Sequence, residues 1–172
     1  MTSAIGSVIT DHFDVAILGS SFAGSLTSLI LQSSGLRTVL IDRRRHPRFA
    51  IGESSTPAAN LILRSLANEY GLQELDTLSR FGSWRQAWPK MRCGLKRGFS
   101  YFAHRPGEEF VPDTDGANQL LVAASSCDTL ADTQWYRADV DEFLSHRAVR
   151  QGAALYETAD VCGIESCPAG WE

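Results

Sequence analysis

The chain has no long apolar run. Its hydrophobic stretches all fall well short of the ~20 residues that a membrane-spanning helix needs. The first six residues also lack the basic start and apolar core of a secretory signal peptide. We therefore expect no membrane partner, and we predict a cytoplasmic location.

Clustered metal ligands and excess basic charge are missing as well. The four cysteines contain no CxxC pair, and the four histidines lie far apart in the sequence. We predict no metal site and interpret the cysteines as free thiols in a reducing compartment. The net charge of −4 provides no basic field, so we predict no nucleic-acid partner.

Two buried strands flank a helix near the start of the chain. Residues 13–18 and 37–42 are short, mainly apolar runs, which is typical of parallel strands covered on both faces. Residues 22–34 are small and apolar and precede Gly35, which predicts a helix that ends there. Residues 13–42 thus form a βαβ unit. We predict an α/β protein with a parallel sheet, of the Rossmann type that binds FAD or NAD(P).

A glycine-bounded turn between the first strand and the helix resembles the dinucleotide fingerprint GxGxxG. It consists of Gly19, Ser20, Ser21, Phe22, Ala23 and Gly24. Glycine at the first position permits the tight turn, and glycine at the last lets the helix pack close to the strand, with its N–H groups toward a pyrophosphate. Ser21 departs from the pattern, because glycine there lets the backbone approach the phosphate. Asp42 ends the second strand, where an acid accepts hydrogen bonds from a ribose.

A basic loop follows Asp42 and leaves the choice of cofactor open at this point. Arg43 and its two arginine neighbours can bind the 2′-phosphate of NADP. Alternatively, most of these arginines belong to a solvated loop with no fixed ligand, and the fingerprint is an ordinary βαβ turn.

The rest of the chain alternates further elements with one long connection. Thr56 and Pro57 predict the start of a helix that Gly71 ends. The spacing of Asp139 and Glu142 is that of a capping box, which predicts a helix over residues 139–151. We also predict strands at residues 96–103, 154–157 and 161–165, a loop over residues 105–133, and a hairpin turn at residues 167–170. The hairpin would leave the domain incomplete at its C-terminal end, so we interpret residues 1–172 as the N-terminal part of one FAD-binding domain.

The segment that begins at His46 carries a family resemblance. His46-Pro47-Arg48-Phe49 and then Ile51-Gly52-Glu53-Ser54-Ser55-Thr56-Pro57 resemble the flavin-dependent halogenases. The similarity is greatest to the branch that chlorinates pyrrole-type substrates in pyrrolnitrin biosynthesis, within the wider tryptophan-halogenase-like family. It continues through Gly94-Leu95-Lys96-Arg97 and Tyr136-Arg137-Ala138-Asp139. It covers essentially the whole chain, but only the N-terminal third or so of a family member.

The resemblance implies further site residues. Gly52, Glu53 and Ser54 would lie against the flavin and help define the halide site, and Arg137 would contact FAD. Lys96 would lie between the flavin and substrate pockets as the catalytic lysine. The alternatives are that Lys90 or Arg92 has that role, or that these are ordinary strand and surface residues.

The resemblance also implies a reaction and its partners. Reduced FAD, supplied by a separate flavin reductase, would react with O2 and halide, and the lysine would direct the resulting hypohalous acid to an electron-rich aromatic substrate of pyrrole or indole type. Two alternatives stay open, an FAD-dependent monooxygenase or reductase of the same superfamily, and a truncated product without catalysis. We expect the isolated chain to bind FAD weakly.

Overall fold

The computed structural model describes residues 12–123, 125–168 and 170–171. No helix in this described part is long and apolar enough to cross a membrane. The strands, in chain order, are β1 (Val15–Leu18), β2 (Thr38–Asp42), β3 (Glu53–Ser54), β4 (Cys93–Lys96), β5 (Gly98–Phe102), β6 (Gln119–Ala123), β7 (Asp132–Trp135), β8 (Ala154–Glu157), β9 (Ser166–Cys167) and β10 (Gly170–Trp171). The helices are α1 (Phe22–Ser33), α2 (Pro57–Tyr70), α3 (Gln73–Leu78), α4 (Phe81–Ala87) and α5 (Arg137–Gln151), with a 3-10 turn at Asp128–Leu130.

The chain divides into two compact units. The first unit comprises Met1–Arg48 and Asp141–Glu172, and the second comprises Phe49–Val140. That these residues form one FAD-binding domain stays a prediction, and each unit is described by itself below.

A parallel sheet with the order β1-β2-β8 forms the first unit's core. Its central strand β2 is buried along most of its length, with Leu40 fully inaccessible, because neighbouring strands pair with it on both edges. The helix α1 joins β1 to β2, so the predicted βαβ unit and the parallel α/β sheet are confirmed. Gly35 follows α1 in a left-handed conformation, φ +84°, which suits its role at the helix end.

The C-terminal elements of the first unit fit the sequence predictions in part. The predicted strand at residues 154–157 is confirmed as β8, and the predicted hairpin is confirmed by the antiparallel pairing of β9 with β10. The predicted strand at residues 161–165 is wrong. All five of its residues are exposed, so its apolar side chains Val161 and Ile164 face no core.

Antiparallel strands and short helices build the second unit. The sheet order is β3-β7-β4, and β5 pairs with β6 in a separate hairpin. Fully or nearly buried apolar side chains form its core: Leu63, Ala67, Leu75, Leu78, Trp84 and Trp135. The helix α2 begins as predicted, because the Thr56 hydroxyl accepts a hydrogen bond from Ala59 N at 3.1 Å. It ends as predicted at Gly71, which is left-handed with φ +69°.

Three boundaries in the second unit differ from the sequence predictions. The predicted strand at residues 96–103 is two strands, β4 and β5, with different partners. The predicted loop over residues 105–133 contains β6 and the start of β7, because the apolar residues of β6 find a partner in β5. The helix α5 begins at Arg137 rather than at Asp139, so the predicted capping box is wrong. Asp139 lies in the first turn, and its carboxylate accepts from Arg92 instead.

Candidate functional site

The turn after β1 has the geometry for which its glycines were singled out. Gly19 is left-handed, φ +103°, a conformation that side chains disfavour, and its N–H donates to Ile41 O at 2.8 Å. A Cβ on Gly24 would overlap the carbonyl oxygen of Gly19, so only glycine permits this approach of α1 to the turn. The turn is therefore tight, and α1 begins beside the end of β1.

The start of α1 is partly capped from within the protein. The Phe22 N–H donates to the Asp141 carboxylate at 3.1 Å, although the sequence assigned this group to a pyrophosphate. Ser21 is extended and makes no side-chain cap bond, and intrahelical bonding begins where Ser25 N donates to Ser21 O. The other first-turn N–H groups have no intrahelical partner, as at any helix start, and stay candidates for an anionic ligand.

Four hydrogen bonds fix the Asp42 carboxylate in the first unit. Its Oδ2 accepts from Ser20 N and Ser20 Oγ, each at 2.9 Å, and from Arg48 Nη2 at 3.1 Å. Its Oδ1 accepts from Arg44 N at 3.0 Å. Burial alone would raise the pKa of Asp42, but these hydrogen bonds and the Arg48 charge lower it from 3.8 to about 2. The side chain is therefore an ionised acceptor at neutral pH.

Arg48 joins two buried carboxylates. Besides its contact with Asp42, its Nη1 lies 3.8 Å from Asp141 Oδ2. Its Nε is buried without a hydrogen-bond partner among the described residues. Arg48 thus compensates part of the negative charge and retains one unused donor.

An open cavity of about 500 Å³ lies against this cluster. Its walls combine apolar side chains with two carboxylates and three guanidinium groups: Leu18, Gly19, Ile41, Asp42, Arg43, Arg44, Arg48, Ala159, Asp160 and Val161. Ser21 is not among the described residues that line it, so its hydroxymethyl group does not fill this space. A cavity with apolar walls, an ionised acceptor and cationic donors suits a ligand that carries an aromatic base, a hydroxylated sugar and phosphate.

In the second unit, two of the residues predicted to contact flavin bind each other. Arg137 Nη1 lies 2.5 Å from Glu53 Oε1, and the Arg137 side chain is only 12% exposed whereas that of Glu53 is 55% exposed. Ser54 Oγ donates to Gln134 Oε1 on the adjacent strand. A Cβ on Gly52 would lie 3.0 Å from Trp135 O, which indicates close packing there. The strand β3 and the start of α5 therefore form one polar edge of the second unit.

Lys96 lies at the end of β4, and its side chain contacts other residues of the second unit. Its Nζ donates to Ser55 O at 2.6 Å and lies 3.9 Å from the centre of the Phe99 ring. In the β4–β7 register it faces Asp132, a buried acid whose pKa is raised by burial despite the nearby Lys96 charge. Of the two alternative cations, Arg92 is engaged by Asp139 and Tyr136, and Lys90 is exposed.

Sequence reasoning missed His46, Arg48 and Asp141 as members of the site. His46 and Arg48 belong to the segment that carries the family resemblance, and Asp141 lies within the helix predicted over residues 139–151. In the folded chain, His46 contacts Ser20, Arg48 contacts Asp42, and Asp141 accepts from Phe22 N. No local sequence pattern predicts these contacts. Among the described residues, no group of three or more histidine, cysteine, aspartate or glutamate residues could hold a metal ion.

Comparison with known proteins decides the family. No protein-family model matches the chain. It is 35% identical over 152 residues, 88% of its length, to monodechloroaminopyrrolnitrin halogenase PrnC of Pseudomonas fluorescens. It is 34% identical over 153 residues, 89% of its length, to tetracycline 7-halogenase of Kitasatospora aureofaciens. The homologues of this chain are flavin-dependent halogenases.

The solved structure of a halogenase supports the same assignment. Halogenase PltM, in complex with phloroglucinol and FAD, matches 94% of this chain with a TM-score of 0.77 and 29% identity, and the match covers 31% of the PltM chain. The resemblance inferred from the sequence is confirmed, and so is the Rossmann-type fold. The chain spans about a quarter of the length of the curated halogenases, 26% in both cases.

Proposed function

We propose that this chain is the nucleotide-binding part of a flavin-dependent halogenase and that its first unit binds the adenosine diphosphate half of FAD. The observation that carries the proposal is the ionised Asp42 carboxylate, which lies on the cavity wall at the last position of β2 and beside the Gly19 turn. This is the position at which Rossmann folds bind ribose. The unused Arg48 Nε and the first turn of α1 supply donors for the phosphates.

The residues of the turn have separate roles in this proposal. Gly19 and Gly24 keep the turn after β1 tight, and the backbone from Ser20 to Ala23 lies along the diphosphate. Asp42 accepts a ribose hydroxyl, and Arg43 forms part of the cavity wall next to it. NADP is the alternative ligand, and an affinity for 2′,5′-ADP above that for ADP would favour it.

The second unit supplies the residues for the chemistry. When bound, reduced FAD would supply the electrons that activate O2, and the activated oxygen would oxidise halide to an electrophilic halogen. Glu53 holds the Arg137 guanidinium in place at the polar edge, and Gly52 and Ser54 complete the segment proposed to face flavin and halide. Lys96 presents an amine, fixed by Ser55 O and the Phe99 ring, that either donates a hydrogen bond or acts as a nucleophile when neutral.

The substrate class follows from the relatives. The two curated halogenases are named for a pyrrolnitrin precursor and for tetracycline, and PltM was solved with phloroglucinol. We propose an electron-rich aromatic substrate, of pyrrole or indole type, together with halide, O2 and a separate flavin reductase. A cytoplasmic location is part of this proposal.

Nucleotide binding by the 172-residue chain tests the proposal directly. We expect ADP to shift the amide NMR signals of Gly19, Ser20 and Arg44, with a dissociation constant weaker than micromolar. The variant Asp42→Asn should lose most of this affinity. The variant Asp14→Asn, at an exposed acid of the same unit, is the matched control and should bind as the unsubstituted chain does. Unchanged signals at millimolar ADP would reject the proposal.

Halogenation is tested with the protein as it is encoded in full. A flavin reductase, FAD, chloride or bromide and an aromatic substrate should give halogenated product, and Lys96→Ala should abolish it while FAD stays bound. Lys90→Ala is the matched control. Halide-independent hydroxylation that survives Lys96→Ala would favour the monooxygenase alternative.

A further inference from the structure

A buried chain of three side chains ends at the proposed ribose carboxylate. His46 Nε2 lies 2.8 Å from Ser20 Oγ, which lies 2.9 Å from Asp42 Oδ2. All three residues are buried, with 7%, 0% and 6% of their surface exposed, respectively. Of the three, only Asp42 lines the cavity, so His46 would influence a ligand there through Ser20 and Asp42.

Proton counting fixes the direction of both hydrogen bonds. The Asp42 carboxylate is ionised and can only accept, so the single hydroxyl hydrogen of Ser20 is donated to it. Ser20 Oγ must then accept from His46, which requires a hydrogen on Nε2. In the neutral ring Nδ1 therefore carries none, and Nδ1 has no hydrogen-bond partner among the described residues.

The backbone of His46 is held independently of this chain. Its N–H donates to Glu157 Oε1 at 2.7 Å, and Glu157 is the last residue of the sheet strand β8. The backbone of His46 is thus attached to the sheet, and its imidazole is attached to Ser20. Such a side chain limits the rotation of the Ser20 hydroxyl, which would otherwise be free to turn away from Asp42.

The hydrogen bonds that Asp42 already accepts leave few acceptor positions for a ligand. A carboxylate has about four acceptor positions, two on each oxygen. Among the described residues Oδ2 already accepts from three donors, Ser20 N, Ser20 Oγ and Arg48 Nη2, which is more than its two positions, so it has no capacity for a ligand. Oδ1 accepts from Arg44 N alone among these residues, so one of its own two positions remains.

We propose that His46 is a positioning residue of the nucleotide site, which holds Asp42 through Ser20 so that the carboxylate binds one ribose hydroxyl rather than two. The inference rests on the proposed binding of adenosine diphosphate and deepens it. His46 acts by donating a hydrogen bond from Nε2 to Ser20 Oγ, and Asp42 accepts a hydrogen bond from a single ribose hydroxyl through Oδ1.

The test compares ADP with 2′-deoxyADP and 3′-deoxyADP on the 172-residue chain, by NMR titration. We expect one of the two analogues to bind about three- to tenfold more weakly than ADP, the effect of one hydrogen bond, and the other to bind as ADP does. Equal losses of affinity for both analogues would show that the site binds two ribose hydroxyls and would overturn the proposal.

Substitution of His46 tests the positioning role. The variant His46→Leu should bind ADP about three- to tenfold more weakly and should leave the affinity for the weaker deoxy analogue unchanged. His46→Gln, whose amide can still donate to Ser20, should restore ADP binding. His146→Leu, the same change at an exposed histidine of α5, is the matched control. Equal weakening for all three ligands would mean a merely structural role and would overturn the inference.

A measurement on the unsubstituted chain covers the case in which His46→Leu does not fold. Long-range ¹H–¹⁵N NMR of the neutral ring should show the Nε2–H form of His46. An Nδ1–H form would overturn the role of His46 but leave nucleotide binding intact. Absence of ADP binding would instead reject the proposed function, so the two failures are distinguishable.

Discussion

Ser20 donates both its backbone N–H and its hydroxyl to the same oxygen of Asp42, each at 2.9 Å. The two residues come from the turn after β1 and from the last position of β2. Their contact joins the turn proposed to bind the diphosphate to the carboxylate proposed to bind ribose. It also stabilises the ionised acid, because hydrogen bonds to a carboxylate favour its charged form.

Acid should weaken the fold through Asp42. Its pKa is lowered from 3.8 to about 2 in the folded chain, so its ionised form stabilises the fold above about pH 4, and this contribution is lost as the pH falls from about 4 to about 2. The expected size is about 2 kcal/mol at neutral pH. Urea unfolding at neutral pH and near pH 2 should therefore show a smaller loss for Asp42→Asn than for the unsubstituted chain. Equal losses would contradict this assignment.

Gly24→Ala should separate α1 from its turn. The added Cβ would overlap the carbonyl oxygen of Gly19, a backbone atom that cannot move without opening the turn. We expect a loss of about 1–3 kcal/mol in unfolding free energy, and weaker ADP binding. Ala substitution at Gly163, where a Cβ meets nothing within 4 Å, is the control and should change neither. Wild-type affinity in Gly24→Ala would show that the close approach is unnecessary.

The Arg92–Asp139 contact should stabilise the second unit more than an exposed ion pair does. Arg92 donates to both oxygens of Asp139 from its guanidinium, and again from its backbone N–H. These bonds lower the pKa of Asp139, a side chain only 16% exposed. Asp139→Asn should therefore lower the melting temperature more than Asp128→Asn, which removes the exposed pair with Arg97. Equal or reversed effects would contradict this view.

Glu53 and Arg137 should show weak energetic coupling. Their contact is short, but Glu53 is half exposed, so solvent screens the interaction. A double-mutant cycle with Glu53→Gln and Arg137→Gln should give about 0.5 kcal/mol in unfolding free energy. A coupling of zero would show that the two side chains do not pair in solution.

Several elements were predictable because their signals are local. The βαβ unit follows from two short apolar runs with a glycine turn and a small-residue helix between them. The start of α2 follows from Thr56 and Pro57, and its end from Gly71. Each of these features depends on residues that are close together in the chain, so the local sequence is sufficient to predict it.

Other elements were not predictable, because their partners are distant in sequence. The apolar residues of β6 looked like part of a loop rich in turn-forming residues, and they become a strand only by pairing with β5. Asp139 has the spacing of a capping residue, but Arg92, 47 positions earlier, takes its carboxylate. An isolated local pattern cannot show which of two competing partners a side chain binds.

The sequence alone determined the strand–turn–helix–strand order, the two glycines that make the turn tight, and Asp42 at the end of the second strand, since each depends on backbone preferences of neighbouring residues. Only the tertiary structure decided that His46 reaches Ser20, that Arg48 joins Asp42 to Asp141, and that Asp141 takes the Phe22 N–H. The physical reason is that buried polar groups must find partners wherever the packed elements bring them. For Phe22 and Asp141 those elements lie 119 residues apart in the chain.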